Sequence, residues 1–224
     1  MSTVTQNARR LNLPEEKLLG DWIVTIPGFT LEKYRKLQHS RLSIFSMNCF
    51  GGLISNSLGL TFRSPFVNLF LSNLDFIKFA NYPRAYIETS LAFQENKFSQ
   101  TFKHDYPIFH LKDITVNMLH YYNANDALST WNKRKQLINW YNLLVVMCTE
   151  SEDVLTKFDA LPYGKKICFV PFKSNLDSAW YIDRRLSKQI SFLEVANDFA
   201  KAKIFYYDVF DMLLYGKKTP LIEM

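Results

Sequence analysis

Residues 42–59 read LSIFSMNCFGGLISNSLG and hold three of the seven glycines in this 224-residue chain. The apolar run LSIFSM ends in the sequence NCFGG, and a second apolar pattern begins directly after it. An apolar run, a glycine pair and a renewed apolar pattern predict a strand, a tight turn and a helix. Such a junction directs the backbone N–H groups of the helix N-terminus toward an anion. We therefore expect a strand–turn–helix unit with a functional turn at its centre.

Downstream of this unit, strand patterns alternate with helical ones. Residues 143–148 and 166–170 are continuous apolar runs, residues 114–121 alternate at period two, and helical spacing covers 125–138 and 151–161. Alternating strands and helices require crossover connections, which favour parallel strands covered on both sides. The predicted fold is α/β, with a mostly parallel central sheet and helices on both faces in a three-layer, Rossmann-like arrangement.

The remaining segments are predicted from caps and composition. Thr30 and Asn73 are placed to cap short helices. Residues 86–93 are expected to be extended, and residues 193–215 to form a last helix on the sheet. Residues 1–20 are polar, so we expect a frayed segment there and a single α/β domain over residues 21–224.

Composition narrows the class of protein. Hydrophobic residues make up 48% and aromatic residues 16% of the chain, which excludes disorder and collagen-like repeats. The net charge is +6, and it would suit a nucleotide-activated substrate or an anionic membrane surface. The basic residues are scattered, however, and no nucleic-acid motif is present, so no nucleic-acid partner is expected.

The cysteines and the N-terminus indicate a compartment. The three cysteines are far apart and lack CxxC spacing, which is typical of a reducing interior. The N-terminal sequence has no apolar signal-peptide core, and no apolar window is long enough for a transmembrane helix. We expect a cytoplasmic protein, with contact to the inner membrane surface left open.

Cys49 is the candidate nucleophile, because a helix N-terminus stabilises a thiolate. The N–H groups of Phe50, Gly51 and Gly52 are candidate oxyanion donors. Asn48 could orient a substrate or cap the helix. The alternative interpretation is structural: Cys49 is a small buried residue, and the glycines permit a close approach of strand and helix.

His120 is the candidate base, since it ends a predicted strand and useful residues gather at the carboxyl ends of parallel strands. A histidine on an otherwise apolar strand face is also a common core residue with an ordinary hydrogen-bond partner. The sequence identifies no acid that would orient the imidazole.

A polar and aromatic stretch over 172–184 follows the predicted strand 166–170 and contains Trp180 and Arg184. Its composition suits carbohydrate or nucleotide recognition, and it equally suits a structured surface loop. The sequence lacks a P-loop, a Rossmann glycine fingerprint, a GxSxG elbow, HExxH and DxD. No metal site is predicted, and no cofactor is identified.

Four groups of residues carry a family likeness: SMNCFGG (46–52); SPF (64–66) with DFIKF (75–79); HY (120–121) with WNKR (131–134) and INW (138–140); and FDALP (158–162). On these residues the chain resembles an uncharacterised bacterial family found in exopolysaccharide and capsular polysaccharide biosynthesis loci. The likeness covers most of the chain from about Leu42 onward. In that family a tryptophan commonly follows the cysteine, whereas Phe50 stands there in this chain, which keeps an aromatic ring and loses an indole donor.

The resemblance implies a setting in polysaccharide synthesis without an established activity. A looser similarity to the Asn-Cys turn of other polysaccharide-locus proteins, suspected of acetyl transfer, favours an acyltransferase with Cys49 as nucleophile and His120 as base. Its ligands would be a sugar or polysaccharide intermediate and an acyl or nucleotide-sugar donor. Two alternatives stay open: a non-catalytic module that binds a glycan or a partner around Trp180, and a nucleotide-sugar glycosyltransferase.

Overall fold

The computed structural model describes residues 23–183 and 206–221. Within them, seven strands form two sheets, seven α-helices surround the sheets, and a short 3-10 turn covers Ile23–Thr25. The strands are β1 (Ser43–Ser46), β2 (Ala92–Ser99), β3 (His104–Leu111), β4 (Ile114–Asn117), β5 (Leu143–Cys148), β6 (Lys166–Val170) and β7 (Ala179–Tyr181). The helices are α1 (Leu31–His39), α2 (Phe50–Ser57), α3 (Asn73–Asn81), α4 (Pro83–Ile87), α5 (Ala124–Lys135), α6 (Glu152–Asp159) and α7 (Val209–Tyr215).

The first sheet is parallel throughout, in the order β1-β5-β6-β7. On one face of β1, Ile44 lies against α2 at Gly51, and on the other face Phe45 packs against Phe66. The residues of β1 are therefore buried on both sides, as continuous apolar strands of a parallel sheet are. The prediction of an α/β protein with a parallel sheet is confirmed.

A second, antiparallel sheet in the order β2-β3-β4 was not predicted. The pattern at 114–121 was expected to join the parallel sheet, but β4 ends at Asn117 and pairs antiparallel with β3. A tight connection joins β3 to β4, with Lys112 in the left-handed region at φ 55°. The chain therefore enters β4 through a hairpin from β3, and not through the crossover connection that a strand of the parallel sheet would need. The alternation of apolar and polar residues at period two is typical of antiparallel strands with one exposed face. This pattern distinguishes β4 from the continuously apolar strands of the parallel sheet.

Three local predictions need correction. Ser72, not Asn73, caps α3, since its Oγ accepts from the backbone N–H of Asp75 at 3.1 Å. Within the segment 86–93, residues 86–87 end helix α4, which has Pro83 in its first turn, a turn follows at 88–89, and strand β2 begins only at Ala92. The stretch 172–184 contains the buried strand β7 rather than a loop alone.

The predictions for residues 1–20 lie outside the described residues. Of the expected helix over 193–215, the described part contains α7, which begins after its cap Asp208. None of the described helices has the length and apolar character needed to cross a membrane.

Aromatic side chains fill the core beside the parallel sheet. The ring of Phe66 is completely buried, with its centroid 4.4 Å from that of Phe79, 5.5 Å from Phe45 and 5.6 Å from Trp131. Offset and edge-on aromatic pairs each stabilise the fold beyond the area that they bury. Phe66 therefore joins β1, α3 and α5 in one cluster.

A charged cluster ties the first described helix to the last. Nζ of Lys33 in α1 lies 2.8 Å from Oδ1 of Asp211 and 3.1 Å from Oδ2 of Asp208. Gly28 has φ 85°, and a Cβ there would fall on the carboxylate of Asp208. The chain thus needs glycine at 28 for α7 to approach the segment before α1.

We expect Phe66→Ala to lower the free energy of unfolding by about 3–5 kcal/mol, because it removes a fully buried ring and leaves a cavity among its neighbours. Phe93 is 52% exposed, so Phe93→Ala is the matched control and should cost less than about 1 kcal/mol. Urea denaturation of both variants measures the difference. Equal losses of unfolding free energy in the two variants would contradict the role of Phe66 at the centre of the aromatic cluster.

Lys33→Met should lower the free energy of unfolding at pH 7 by about 2 kcal/mol, since it leaves two largely buried carboxylates without their cation. The partly exposed pair Lys78–Asp113 is the control, and Lys78→Met should cost less than about 1 kcal/mol. Urea titrations compare the two variants. A smaller loss in Lys33→Met than in Lys78→Met would contradict the role of the cluster.

The ion pair of Lys33 with Asp211 predicts that the free energy of unfolding depends on pH. The hydrogen bond with Lys33 holds the pKa of Asp211 below its ordinary value, and the bond with Asp211 raises the pKa of Lys33. The contribution of Asp211 is present above the ordinary pKa of Asp, about 4, and is lost as the pH falls through its depressed value. The contribution of Lys33 is lost only as the pH rises through its raised pKa. The destabilisation by Lys33→Met should therefore shrink below about pH 4, which denaturation at pH 7 and pH 3 would test.

Candidate functional site

The carboxyl ends of β1 and β5 lie side by side, because the strands are parallel and Ser46 pairs with Val146. The residues that follow each strand meet at this edge of the sheet. Nδ2 of Asn48 donates to Sγ of Cys148 at 3.4 Å, which joins the two strand ends through side chains. This edge carries the predicted residues Asn48 and Cys49.

Asn48 is buried and shapes the first turn of α2. Its Oδ1 accepts from the backbone N–H of Phe50 at 3.0 Å, and its backbone carbonyl accepts from Oγ of Ser46 at 2.7 Å. Oγ of Ser46 also accepts from the N–H of Gly51 at 3.0 Å. Asn48 therefore satisfies one N–H group at the N-terminus of α2, although Cys49 is the N-cap residue, and a substrate-orienting role of Asn48 stays a prediction.

The glycine pair lies inside α2 rather than in a turn before it, so the predicted tight turn at these two residues is wrong. A Cβ at Gly51 would lie 2.7 Å from Oγ of Ser46, and a Cβ at Gly52 would lie 2.9 Å from Cγ1 of Val67. The glycines are required by close packing, since neither is among the residues with positive φ. Their positions set α2 directly on the end of β1.

Cys49 is the N-cap residue of α2, and its side chain makes no capping hydrogen bond. It is half-buried, whereas Cys148 and Cys168 are buried, and none of the three cysteines forms a disulfide bond. Burial raises the pKa of Cys148 to about 12 and that of Cys168 well above its ordinary value. Those two thiols are therefore protonated and inert near neutral pH, and Cys49 is the accessible one.

Two of the predicted oxyanion donors already have acceptors within the chain. The N–H of Phe50 donates to Oδ1 of Asn48, and the N–H of Gly51 donates to Oγ of Ser46. An oxyanion would have to displace these acceptors, so the oxyanion role of Phe50, Gly51 and Gly52 stays a prediction.

Two polar residues at this edge, Asn73 and Thr149, were not predicted as part of the site. Nδ2 of Asn73 donates to Oγ1 of Thr149 at 3.1 Å, and Thr149 is buried just beyond β5. The backbone N–H of Ser151 also donates to Oγ1 of Thr149. The position of Thr149 directly after an apolar strand was the signal that could have identified it.

His120 does not end a strand of the parallel sheet, which corrects the reasoning that selected it. It follows β4 of the antiparallel sheet, and its ring centroid lies 4.7 Å from that of Phe102 in an edge-on contact. Phe102 belongs to the connection between β2 and β3. The catalytic role of His120 stays a prediction.

The segment Val67–Asn68 nevertheless connects the two predicted groups. Val67 abuts α2 at Gly52, the carbonyl of Asn68 accepts from the backbone N–H of His120 at 3.2 Å, and the hydroxyl of Tyr121 donates to the carbonyl of Val67 at 3.3 Å. The residues after β4 and the first turn of α2 therefore both contact this short segment, α2 at Val67 alone.

Trp180 is 1% exposed, with its ring 4.7 Å from that of Tyr207. It was predicted in a recognition loop, but it lies in β7 and its indole is buried against Phe169 and Tyr207, so it packs in the core. Arg184 lies outside the described residues. Within residues 23–183 and 206–221, no cluster of three or more His, Cys, Asp or Glu side chains could hold a metal ion.

Most of the chain matches a described protein family. A family model described as "Domain of unknown function (DUF1919)" matches residues 23–215. An uncharacterized protein of Haemophilus influenzae is 31% identical over 183 residues, which cover 79% of this chain and 84% of that protein. The chain therefore belongs to the DUF1919 family.

Proposed function

We propose that this protein is a transferase of bacterial exopolysaccharide or capsular polysaccharide synthesis, in which Cys49 accepts an acyl group and passes it to a sugar hydroxyl. One observation carries the proposal: Cys49 is the half-buried thiol, and it occupies the N-cap position of α2 at the carboxyl edge of a parallel sheet. Ligand sites of open α/β sheets gather at that edge. The helix N-terminus there favours the thiolate, which is the nucleophilic form.

The reaction has two balanced steps. The Cys49 thiolate bonds to the carbonyl carbon of an acyl thioester donor, the donor's carbon–sulfur bond breaks, and the departing thiolate takes up the proton that Cys49 released. A sugar hydroxyl then attacks the acyl-Cys49 carbonyl, losing its proton to a base as the Cys49 thiolate departs. His120 is proposed to carry both protons as general acid and base.

Further features support the setting. Cysteines without disulfide bonds suit the reducing cytoplasm, and the net charge of +6 suits anionic donors such as acyl-CoA or a nucleotide-sugar. The packing of β1 on both faces supports a three-layer, Rossmann-like domain. The link to polysaccharide loci rests on the resemblance described above.

The burial of Trp180 counts against the alternative of a non-catalytic module that binds a glycan around this indole. A nucleotide-sugar glycosyltransferase would use the same edge of the sheet with a different donor. Thermal-shift measurements with acetyl-CoA, UDP-sugars and GDP-sugars separate the two transferases, because a bound donor stabilises the folded state.

Iodoacetamide should modify Cys49 of the native protein well before Cys148 and Cys168, because these two thiols are buried and protonated. Peptide mass spectrometry over a time course measures the three rates, and denatured protein gives the intrinsic rates for comparison. An activated Cys49 should also react faster near neutral pH than a thiol with an ordinary pKa of about 8.5. Reaction no faster than free glutathione would contradict the activation of Cys49.

Incubation with acetyl-CoA should place one acetyl group on Cys49 as a thioester that hydroxylamine removes. Cys49→Ala should form no adduct. His120→Gln should slow adduct formation by about 100-fold or more, while His110→Gln, on an exposed strand position, is the matched control and should leave the rate unchanged.

Complementation provides the decisive cellular result. The Cys49→Ala protein, produced at wild-type level in a deletion strain of the source bacterium, should not restore polysaccharide modification. Full restoration would show that Cys49 is not the nucleophile. Stabilisation by nucleotide-sugars without any acetyl adduct would favour the glycosyltransferase instead.

A further inference from the structure

A cavity of about 430 Å³ opens at the amino edge of the parallel sheet, opposite to Cys49. It lies between the end of α3, the start of α4 and the segments that lead into β5 and β6. Because β5 runs the full depth of the sheet, about 17 Å separates this cavity from the carboxyl edge. The lining side chains used below are Asn81, Tyr82, Arg84, Trp140 and Tyr163.

Arg84 gives the cavity a fixed positive charge. Its guanidinium carbon lies 4.4 Å from the centroid of the Trp140 ring, and Trp140 in turn packs edge-on against Phe45 of the core at 5.8 Å. Among the described residues, Arg84 forms no salt bridge. A stacked guanidinium keeps its planar N–H donors available, and these match the paired oxygens of a carboxylate or phosphate.

Two tyrosines give the cavity aromatic walls. Tyr163 is held in place because its hydroxyl donates to the carbonyl of Ala80 at 2.6 Å. Tyr82 is 72% exposed, although an aromatic ring of that size is usually packed. Nδ2 of Asn81 donates to the carbonyl of Ile77, which leaves its carbonyl oxygen to accept from a ligand hydroxyl. The lining thus combines flat aromatic surfaces, an amide oxygen that can accept a hydrogen bond from a hydroxyl, and the cation of Arg84.

We propose that this cavity binds an acidic sugar, a pyranose of one or two rings that carries a carboxylate or a phosphate. The anionic group pairs with Arg84, the C–H face of the ring lies on Tyr82, and a hydroxyl donates to Asn81. The volume is within the range of small-molecule sites. This site is separate from the edge proposed for catalysis and does not depend on that proposal.

The test is titration of the full chain by calorimetry with glucuronate, glucose 1-phosphate, methyl glucoside and benzoate. Glucuronate carries the carboxylate and glucose 1-phosphate the phosphate, so the two titrations distinguish the anionic groups. Methyl glucoside lacks the charge, and benzoate lacks the sugar. Saturable binding of either acidic sugar, stronger than that of methyl glucoside and benzoate, is the expected result.

Arg84→Gln should weaken acidic-sugar binding by about tenfold or more, since it removes hydrogen bonds to a charged group. Lys97→Gln, on the exposed strand β2, removes the same charge elsewhere and should not change binding. Tyr82→Ala should also weaken binding, and Tyr122→Ala is its matched control because Tyr122 is 78% exposed, packs on His104 and does not line the cavity. Thermal denaturation verifies that each variant is folded.

¹H–¹⁵N correlation spectra test where on the protein the acidic sugar binds. Acidic sugars should shift the indole resonance of Trp140, assigned with Trp140→Phe, and not the amide resonances of Gly51 and Gly52. Absence of saturable binding, equal binding by Arg84→Gln, or equal binding of methyl glucoside or benzoate would overturn the proposal. Shifts at the two glycines without a shift at Trp140 would overturn it as well and would favour the carboxyl edge.

Discussion

The rest of the structure depends on the close contact between the first turn of α2 and the end of β1. A side chain at Gly51 would collide with Ser46, whose hydroxyl donates to the carbonyl of Asn48 and accepts from the N–H of Gly51. Because no side chain separates them, helix and strand form one hydrogen-bonded unit. This unit fixes Cys49 at the carboxyl edge and leaves the other face of β1 to the aromatic cluster around Phe66.

Local patterns predicted three strands of the parallel sheet, β1, β5 and β6, but neither β7 nor the second sheet. The apolar runs of β1, β5 and β6 could be recognised because burial on both faces leaves a continuous apolar sequence. The β3–β4 hairpin was missed because Lys112, rather than glycine or asparagine, occupies its left-handed position, so the usual turn signal is absent. Alternation within a strand shows which face is buried and does not identify the neighbouring strand.

The candidate site was predictable only where one continuous stretch of sequence builds it. Asn48 and Cys49 lie between a strand and a helix that were both recognised, so their place at the sheet edge followed from the sequence. The bond between Asn73 and Thr149 joins residues that are 76 positions apart, and no local pattern encodes it. His120 was misplaced for the same reason, because its environment depends on the sheet to which β4 belongs.

The two edges of the parallel sheet offer different chemistry. At the carboxyl edge the side chains that bond to one another are neutral, and any potential that favours an anion must come from the backbone of α2, whose N–H groups at Phe50 and Gly51 already have acceptors. At the amino edge it comes from the guanidinium of Arg84 beside aromatic rings. Strands β5 and β6 connect the edges through continuously buried side chains, and close-packed interiors of this kind hold a single arrangement. Coupling between distant sites requires an element with two arrangements, so a ligand at Arg84 should leave the environment of Cys49 unchanged.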